Sequence, residues 1–238
     1  MVNRRVAGQP LEHVLGWAEF CGLRIAVDPG VFVPRRRTAF LVDLATDVGS
    51  GAIRGGVGRQ RPTTPRTGPA RVVVDLCCGS GAVGAALLAA LGRVDLCAVD
   101  IDPAAVRCAR RNLAGTGARV YHGDLYQPLP FDLRGRVDLL VANAPYVPSH
   151  AVGTLPPEAR LHEPRAALDG GAEGLDVLRR VIAGAPRWLS PGGRLLVEAS
   201  GTQAPALAAS VAAAGLAPQV GTDLDLGATV VSGIRSLA

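Results

Sequence analysis

From residue 71 onward the apolar positions fall into two alternating rhythms. Short β-branched and aliphatic runs read as buried strands: Val72–Leu76, Val94–Asp100, Arg119–His122, Val137–Ala142 and Arg194–Glu198. Between them, Ala82–Leu91, Pro103–Leu113, Leu175–Leu189 and Ala204–Ala214 read as helices. The second of these carries proline in its first turn, where the missing N–H costs nothing. Pro191-Gly192-Gly193 marks a turn before the Arg194 strand. Strands alternating with helices predict an α/β fold built on a parallel sheet with crossovers. Ala217–Thr222 and Ala228–Arg235 have no helix between them, so a C-terminal antiparallel hairpin is expected at the sheet edge.

Upstream the rhythm is less regular. Residues 11–45 read as a short helix, strand-like pieces and a second helix. Phe20–Val27 runs into Asp28-Pro29-Gly30, a turn signal, and Val31–Pro34 follows, which predicts a small hairpin. Thr38 is the expected N-cap of a helix ending near Val48. Residues 49–70 are rich in Gly, Pro, Thr and Arg and predict a flexible linker or loop. Three segments result: a hairpin/helix extension at 1–48, the linker at 49–70 and an α/β domain at 71–238.

Composition narrows the class. The chain has 238 residues, 48% hydrophobic and 19% charged, with mean hydropathy +0.26. That is a globular composition, long enough to bury a core without metal or disulfide staples. The apolar runs, such as Ala82–Leu91, are too short to span a membrane. Aromatics at 4% argue against a base-stacking platform. All 25 basic residues are arginine. Residues 1–70 hold ten of them against five acids, while residues 71–238 hold fifteen of each. The positive end is therefore separate from a neutral body. It could meet an acidic partner or RNA, or simply be solvated. The five cysteines are odd in number and include the adjacent pair Cys77-Cys78. No secretory signal is evident, so reduced thiols and a cytoplasmic location are expected. No CxxC spacing exists, and no metal site is expected.

The first chemical signal is Gly79-Ser80-Gly81-Ala82-Val83-Gly84, a GxGxxG turn between strand and helix. Asp100 ends the next strand. Glycines let a ligand approach the backbone, and the acid can pair with two ribose hydroxyls. This unit alone suits NAD, FAD or S-adenosylmethionine. Two further acids favour the last. Asp75 stands just before the turn, where a pyrophosphate would be repelled but an ammonium and a sulfonium would not. Asp124, after the third strand, can accept an adenine amino group.

The second signal is Asn143-Ala144-Pro145-Tyr146, at the C-terminal edge of a buried strand, where ligands bind in open α/β sheets. It resembles the Asn-Pro-Pro-Tyr of methyltransferases acting on planar amide or amino nitrogens. Such a nitrogen has a delocalised lone pair. The Asn side-chain oxygen and the following carbonyl can each accept one N–H and aim that lone pair. Tyr146 would pack over the planar group. Ala144 keeps the carbonyl and gives up the φ restriction of proline.

Over most of its length the chain resembles the HemK/PrmC-type glutamine N5-methyltransferases. Pro10–Gly16, Glu19–Leu23 and Gly30–Arg35 are similar to that family's hairpin region. Glu163–Gly171, Gly174-Leu175, Leu189–Gly193, Glu198 and Gln203 are similar to its later blocks. The resemblance implies a class I S-adenosylmethionine-dependent methyltransferase fold, Rossmann-like, with 71–238 as the methyltransferase domain and 1–48 as a substrate-side extension. It implies N5-methylation of a glutamine amide in a protein, a peptide-chain release factor being the family's substrate. By the same resemblance the cofactor residues are Asp75, Cys77, Cys78, Gly79, Ser80, Gly81, Asp100, Asp124, Leu125 and Asn143. The catalytic clamp is Asn143, Ala144, Pro145 and Tyr146, and Phe32 lines the glutamine pocket. Three departures stand out. The chain reads as a shortened relative, with nine residues before Pro10 and no N-terminal helical domain. The family's Pro-Arg-Pro-Glu-Thr is Pro34-Arg35-Arg36-Arg37-Thr38 here, and Ala144 replaces a proline. The alternatives are a nucleic-acid amino-group methyltransferase using the same clamp, a NAD-dependent oxidoreductase resting on GxGxxG alone, and a non-catalytic relative. Neither a membrane nor a nucleic-acid partner is expected.

Overall fold

The computed structural model describes residues 1–47 and 70–237. Within them, β1 (Trp17–Phe20) and β2 (Leu23–Ala26) form an antiparallel pair. A second sheet is built from β3 (Arg71–Leu76), β4 (Val94–Asp100), β5 (Arg119–His122), β6 (Val137–Ala142), β7 (Leu189–Ala199), β8 (Ala217–Asp223) and β9 (Ala228–Ile234). Its order is β5-β4-β3-β6-β7-β9-β8. The first five strands pair in parallel; β9 is antiparallel to both β7 and β8. The mostly parallel sheet with a C-terminal hairpin is thus present.

The helices are α1 (Val2–Val6), α2 (Leu11–Leu15), α3 (Ala39–Asp47), α4 (Ala82–Leu91), α5 (Pro103–Asn112), α6 (Pro157–His162), α7 (Asp176–Gly184) and α8 (Ala204–Ala213). Alternate strand residues serve opposite layers, as the pleat requires. Val74, Leu76, Leu140, Ala142 and Val197 pack with α7 and α8. Val73, Leu96, Leu139, Val141 and Leu196 pack with α3, α4 and α5. That second layer also takes Phe20, Ile25, Val27, Val31 and Val33 from the N-terminal segment. Val27, Val31 and Leu41 are wholly buried there. Each such side chain contributes about 1.5–3 kcal/mol, so the extension is held by core packing.

Several expectations shift. The hairpin turns at Cys21-Gly22, not at Asp28–Gly30. Both turn residues have positive φ, 51° and 77°, the geometry that matches strand twist in a two-residue loop. Val31–Pro34 is not a strand; the Val31 N–H instead closes a turn onto the Asp28 carbonyl. The helix expected to reach Leu189 stops at Gly184, and a 3-10 turn, Ala185–Arg187, follows. Pro186 lies in that turn; it cannot donate within an α-helix. β7 begins at Leu189, and the expected Pro191–Gly193 turn lies within it as an irregularity. α1 and α6 were not anticipated by the apolar pattern. Val48 and residues 49–69 lie outside the described residues.

The sheet reverses direction of growth between β3 and β6. β3 leads outward to β4 and β5, whereas β6 begins the other half. Such a switch point opens a crevice at the strands' C-terminal ends. The segments emerging there are Cys77–Gly81 and Asn143–Tyr146.

Candidate active site

The turn after β3 is built from left-handed backbone: φ is 56° at Cys77, 54° at Gly79 and 78° at Gly81. Among the described non-glycine residues only Cys21, Cys77 and Leu125 have positive φ. Such a conformation costs about 1–2 kcal/mol outside glycine. Two of the three are residues expected at the cofactor. Asp100 closes the turn: its Oδ2 accepts from Gly79 N–H at 2.8 Å and its Oδ1 from Asp102 N–H at 2.9 Å. Burial raises the Asp100 pKa against these two bonds. The Ser80 carbonyl accepts from Asn112 Nδ2 at 2.8 Å, and the same nitrogen donates to the Ala26 carbonyl. One side chain thus ties the turn to β2.

Asp75 lies at the bottom of the crevice, 1% exposed. Its Oδ2 accepts from Gly84 N–H at 3.0 Å, and burial pushes its pKa up to about 7. A Cβ at Gly84 would stand 2.9 Å from Leu96 Cδ2 and 3.3 Å from Asp75 Oδ2. The third glycine of the motif therefore lets α4 sit against the sheet and offer its N–H to Asp75. Asp124 pairs with Arg180 of α7 at 2.5 Å, and Leu125 is buried. The Cys77 thiol is pushed up by burial first, then by Asp100, Asp75 and Asp124.

Across the switch point, Asn143 Nδ2 donates to Thr38 Oγ1 at 3.2 Å. Thr38 ends a 3-10 turn before α3, and its hydroxyl serves Asn143 in place of the expected cap. Among the described residues, neither Asn143 Oδ1 nor the Ala144 carbonyl accepts a hydrogen bond. The clamp backbone is fixed from behind. Gln203 Nε2 donates to the Tyr146 carbonyl at 2.9 Å and the Glu173 carbonyl at 3.0 Å. A Cβ at Gly170 would lie 2.6 Å from the Pro145 carbonyl oxygen, and one at Gly174 2.2 Å from that of Tyr146. Tyr146 Oη donates to Glu198 Oε1 at 3.0 Å. Glu163 Oε1 accepts from Val33 N–H at 3.2 Å, and its Oε2 pairs with Arg35 at 2.5 Å. Arg35 in turn lies 4.8 Å over the Phe32 ring.

A cavity of about 290 Å³ opens beside the clamp, lined by Phe32, Arg35, Arg37, Asn143–Val147, Leu155, Pro156 and Leu168 among others. A smaller one is lined by Asp75, Cys77–Ser80, Phe20, Phe32 and Asn143. Phe32 and Asn143 line both, so the two spaces meet at these side chains. The charged residues around the larger cavity are paired: Arg35 with Glu163, Arg37 with Glu198, and Glu158 with Arg5.

Residues 62–172 match the family described as Methyltransferase small domain. Over 203 residues the chain is 40% identical to the release factor glutamine methyltransferase of Streptomyces coelicolor, covering 85% of this chain and 67% of that one. The chain belongs to the release factor glutamine methyltransferase family. The relative of the same name from Geobacter sulfurreducens is 40% identical over 200 residues, 83% of this chain and 63% of that protein. The chain therefore spans about two thirds of the length of these curated relatives, 63% and 67%. A methyltransferase structure from Pyrococcus furiosus aligns over 99% of this chain and 100% of that one, at a TM-score of 0.63 and 14% identity. The fold is that of a class I S-adenosylmethionine-dependent methyltransferase.

Family and fold imply S-adenosylmethionine as the methyl donor, and the residues present fit it. Nothing lies within 4 Å of where a Cβ would stand on Gly79, so the turn leaves open space. Asp75 and Asp100 place two carboxylates at this turn, one bonded to Gly84 N–H and one to Gly79 N–H. In this member of the glutamine methyltransferase family, the sequence motifs point to the crevice residues but not to the supports behind them. Local pattern offers Thr38 only as a helix cap. Gln203, Glu163 and Glu198 fall in family-like blocks that assign them no role. Nothing in local spacing indicates that Thr38 meets Asn143, because 105 residues separate them.

Proposed function

We propose that this chain methylates the side-chain amide nitrogen of a glutamine in a protein, with a peptide-chain release factor as its substrate. The observation that carries the reading is the Asn143–Thr38 bond. It commits the Asn143 amide nitrogen to Thr38 and leaves Oδ1 as an acceptor beside the Ala144 carbonyl. Two acceptors suit the two hydrogens of a primary amide. Pairing of every charge around the cavity suits an uncharged guest. The names of the relatives point to the same substrate.

S-adenosylmethionine would supply an electrophilic methyl group on a sulfonium. Asp100 holds the ribose hydroxyls, Asp75 the methionine ammonium, and the backbone of Cys77–Gly81 lies along the cofactor. Asp124 and Leu125 form the adenine side. Asn143 Oδ1 and the Ala144 carbonyl each take one amide N–H, which turns the nitrogen lone pair toward the methyl carbon. Pro145, Tyr146 and Phe32 wall the planar group. The amide nitrogen so held would accept the methyl group and pass one of its two protons to solvent water, with the donor leaving as its neutral thioether. Catalysis here is alignment rather than strong base. Residues 1–48 provide the substrate-side wall of the methyltransferase domain at 71–238, and the setting is the cytoplasm.

The test is methyl transfer from labelled S-adenosylmethionine to purified release factor, with RNA as the competing acceptor. Peptide mass spectrometry should find the methyl on one glutamine. Asn143→Ala should lower the rate by about 10²–10³ with cofactor affinity retained. Label in RNA and none in the factor would favour an amino-nitrogen methyltransferase instead.

A further inference from the structure

Glu198 is a buried acid used on one side only. Oε1 accepts from Tyr146 Oη at 3.0 Å and from Arg37 Nε at 3.1 Å, while Oε2 is buried without a partner. A half-satisfied buried carboxylate costs stability, so its retention calls for a reason. The two donors come from different parts of the chain. Tyr146 belongs to the clamp after β6, and Arg37 to the 3-10 turn before α3. The Arg37 guanidinium also lies 5.6 Å from the Tyr146 ring centroid. The ring is therefore pinned at its hydroxyl by Glu198 and covered on a face by Arg37. Both Tyr146 and Arg37 line the 290 Å³ cavity.

We propose that Arg37 and Glu198 are positioning residues that lock the Tyr146 ring as a wall of the amide pocket, so that the N-terminal extension forms part of the clamp. The proposal rests on the methyl-transfer reading above. Neither residue is assigned to the reacting atoms; both act through Tyr146. Arg37 forms an ion pair with Glu198 through its Nε. Burial opposes the charge on Arg37, but Tyr146 and Glu198 outweigh it and hold the guanidinium above its usual range.

The test is a double-mutant cycle. Arg37→Ala, Arg37→Lys and Glu198→Gln are made in the native chain and in a Tyr146→Phe background. In the native background Arg37→Ala and Glu198→Gln should lower kcat on release factor about tenfold or more, with the S-adenosylmethionine Kd unchanged. Arg37→Lys should recover part of the loss. With the hydroxyl gone in Tyr146→Phe, Glu198→Gln should cost no more than about twofold, and Arg37→Ala should cost less than in the native background, keeping only the share that comes from covering the ring face. A second readout needs no substrate. The chain has three tyrosines, so ring-labelled tyrosine gives a spectrum in which Tyr146→Phe assigns one signal. That signal should shift or sharpen in Arg37→Ala and Glu198→Gln. Costs that multiply across the cycle, or a Tyr146 signal unmoved in both variants, would overturn the proposal. If the native protein methylates no release factor, the proposed function fails, and the tyrosine spectrum still decides the role of Arg37 and Glu198.

Discussion

Replacing Asp75 by asparagine should stabilise the protein at alkaline pH while weakening its hold on the cofactor. Burial is the main cause of the raised Asp75 pKa; Asp100 adds to it and the Gly84 N–H opposes it. The folded state therefore binds this proton more tightly than the unfolded chain does. Below the unfolded value of 3.8 both states are protonated and nothing is lost. As pH rises toward 7 the unfolded chain ionises first, so stability falls; above 7 the full penalty applies. A rise from 3.8 to about 7 corresponds to about 4 kcal/mol at its limit. Asparagine removes that term and keeps an oxygen for Gly84 N–H. It also buries an amide that needs an acceptor, at about 1–3 kcal/mol independent of pH. Comparing two pH values cancels this offset. Urea unfolding at pH 5 and pH 8, without cofactor, should show Asp75→Asn gaining about 2–3 kcal/mol more at the higher pH. Calorimetry should show weaker S-adenosylmethionine binding. An equal effect of the substitution at both pH values would refute the reasoning.

Asp100→Ala should weaken S-adenosylmethionine binding by about 1.5–3 kcal/mol in calorimetry, with two backbone N–H groups left without their carboxylate. Thr38→Val should cut kcat by about tenfold, because the Asn143 amide loses its orienting acceptor, and Thr38→Ser should restore most of it. Gly174→Ala should lower the unfolding free energy by about 1–3 kcal/mol or more in chemical denaturation. Its Cβ would meet the Tyr146 carbonyl oxygen at 2.2 Å on a backbone with φ of 73°.

The sheet was legible because its strands are short, apolar on both faces and separated by helices with clear ends. Val94–Asp100 and Val137–Ala142 fall where the pattern puts them. The hairpin was misread because Asp28-Pro29-Gly30 is the stronger local turn signal. Cys21-Gly22 forms the turn because pairing Phe20 with Leu23 buries Ala18, Phe20 and Ile25. The candidate site divides in the same way. The Gly-rich turn, Asp100 and the Asn-x-Pro-Tyr segment are contiguous motifs and can be read directly. Thr38, Glu163, Glu198 and Gln203 act across 30 to 161 residues of chain. Such partners are brought together by the fold and leave no spacing to read.

The layer shared by Phe20, Val31, Leu41, Leu87 and Leu96 has a consequence for how this chain can change over generations. The wall beside the pocket and the body that carries the Gly-rich turn share these side chains as one packed layer. A substitution that shrinks one of them therefore loosens the pocket wall and the cofactor turn together, at about 2–5 kcal/mol for a buried leucine cut to alanine. Pocket and turn are constrained to drift as a unit.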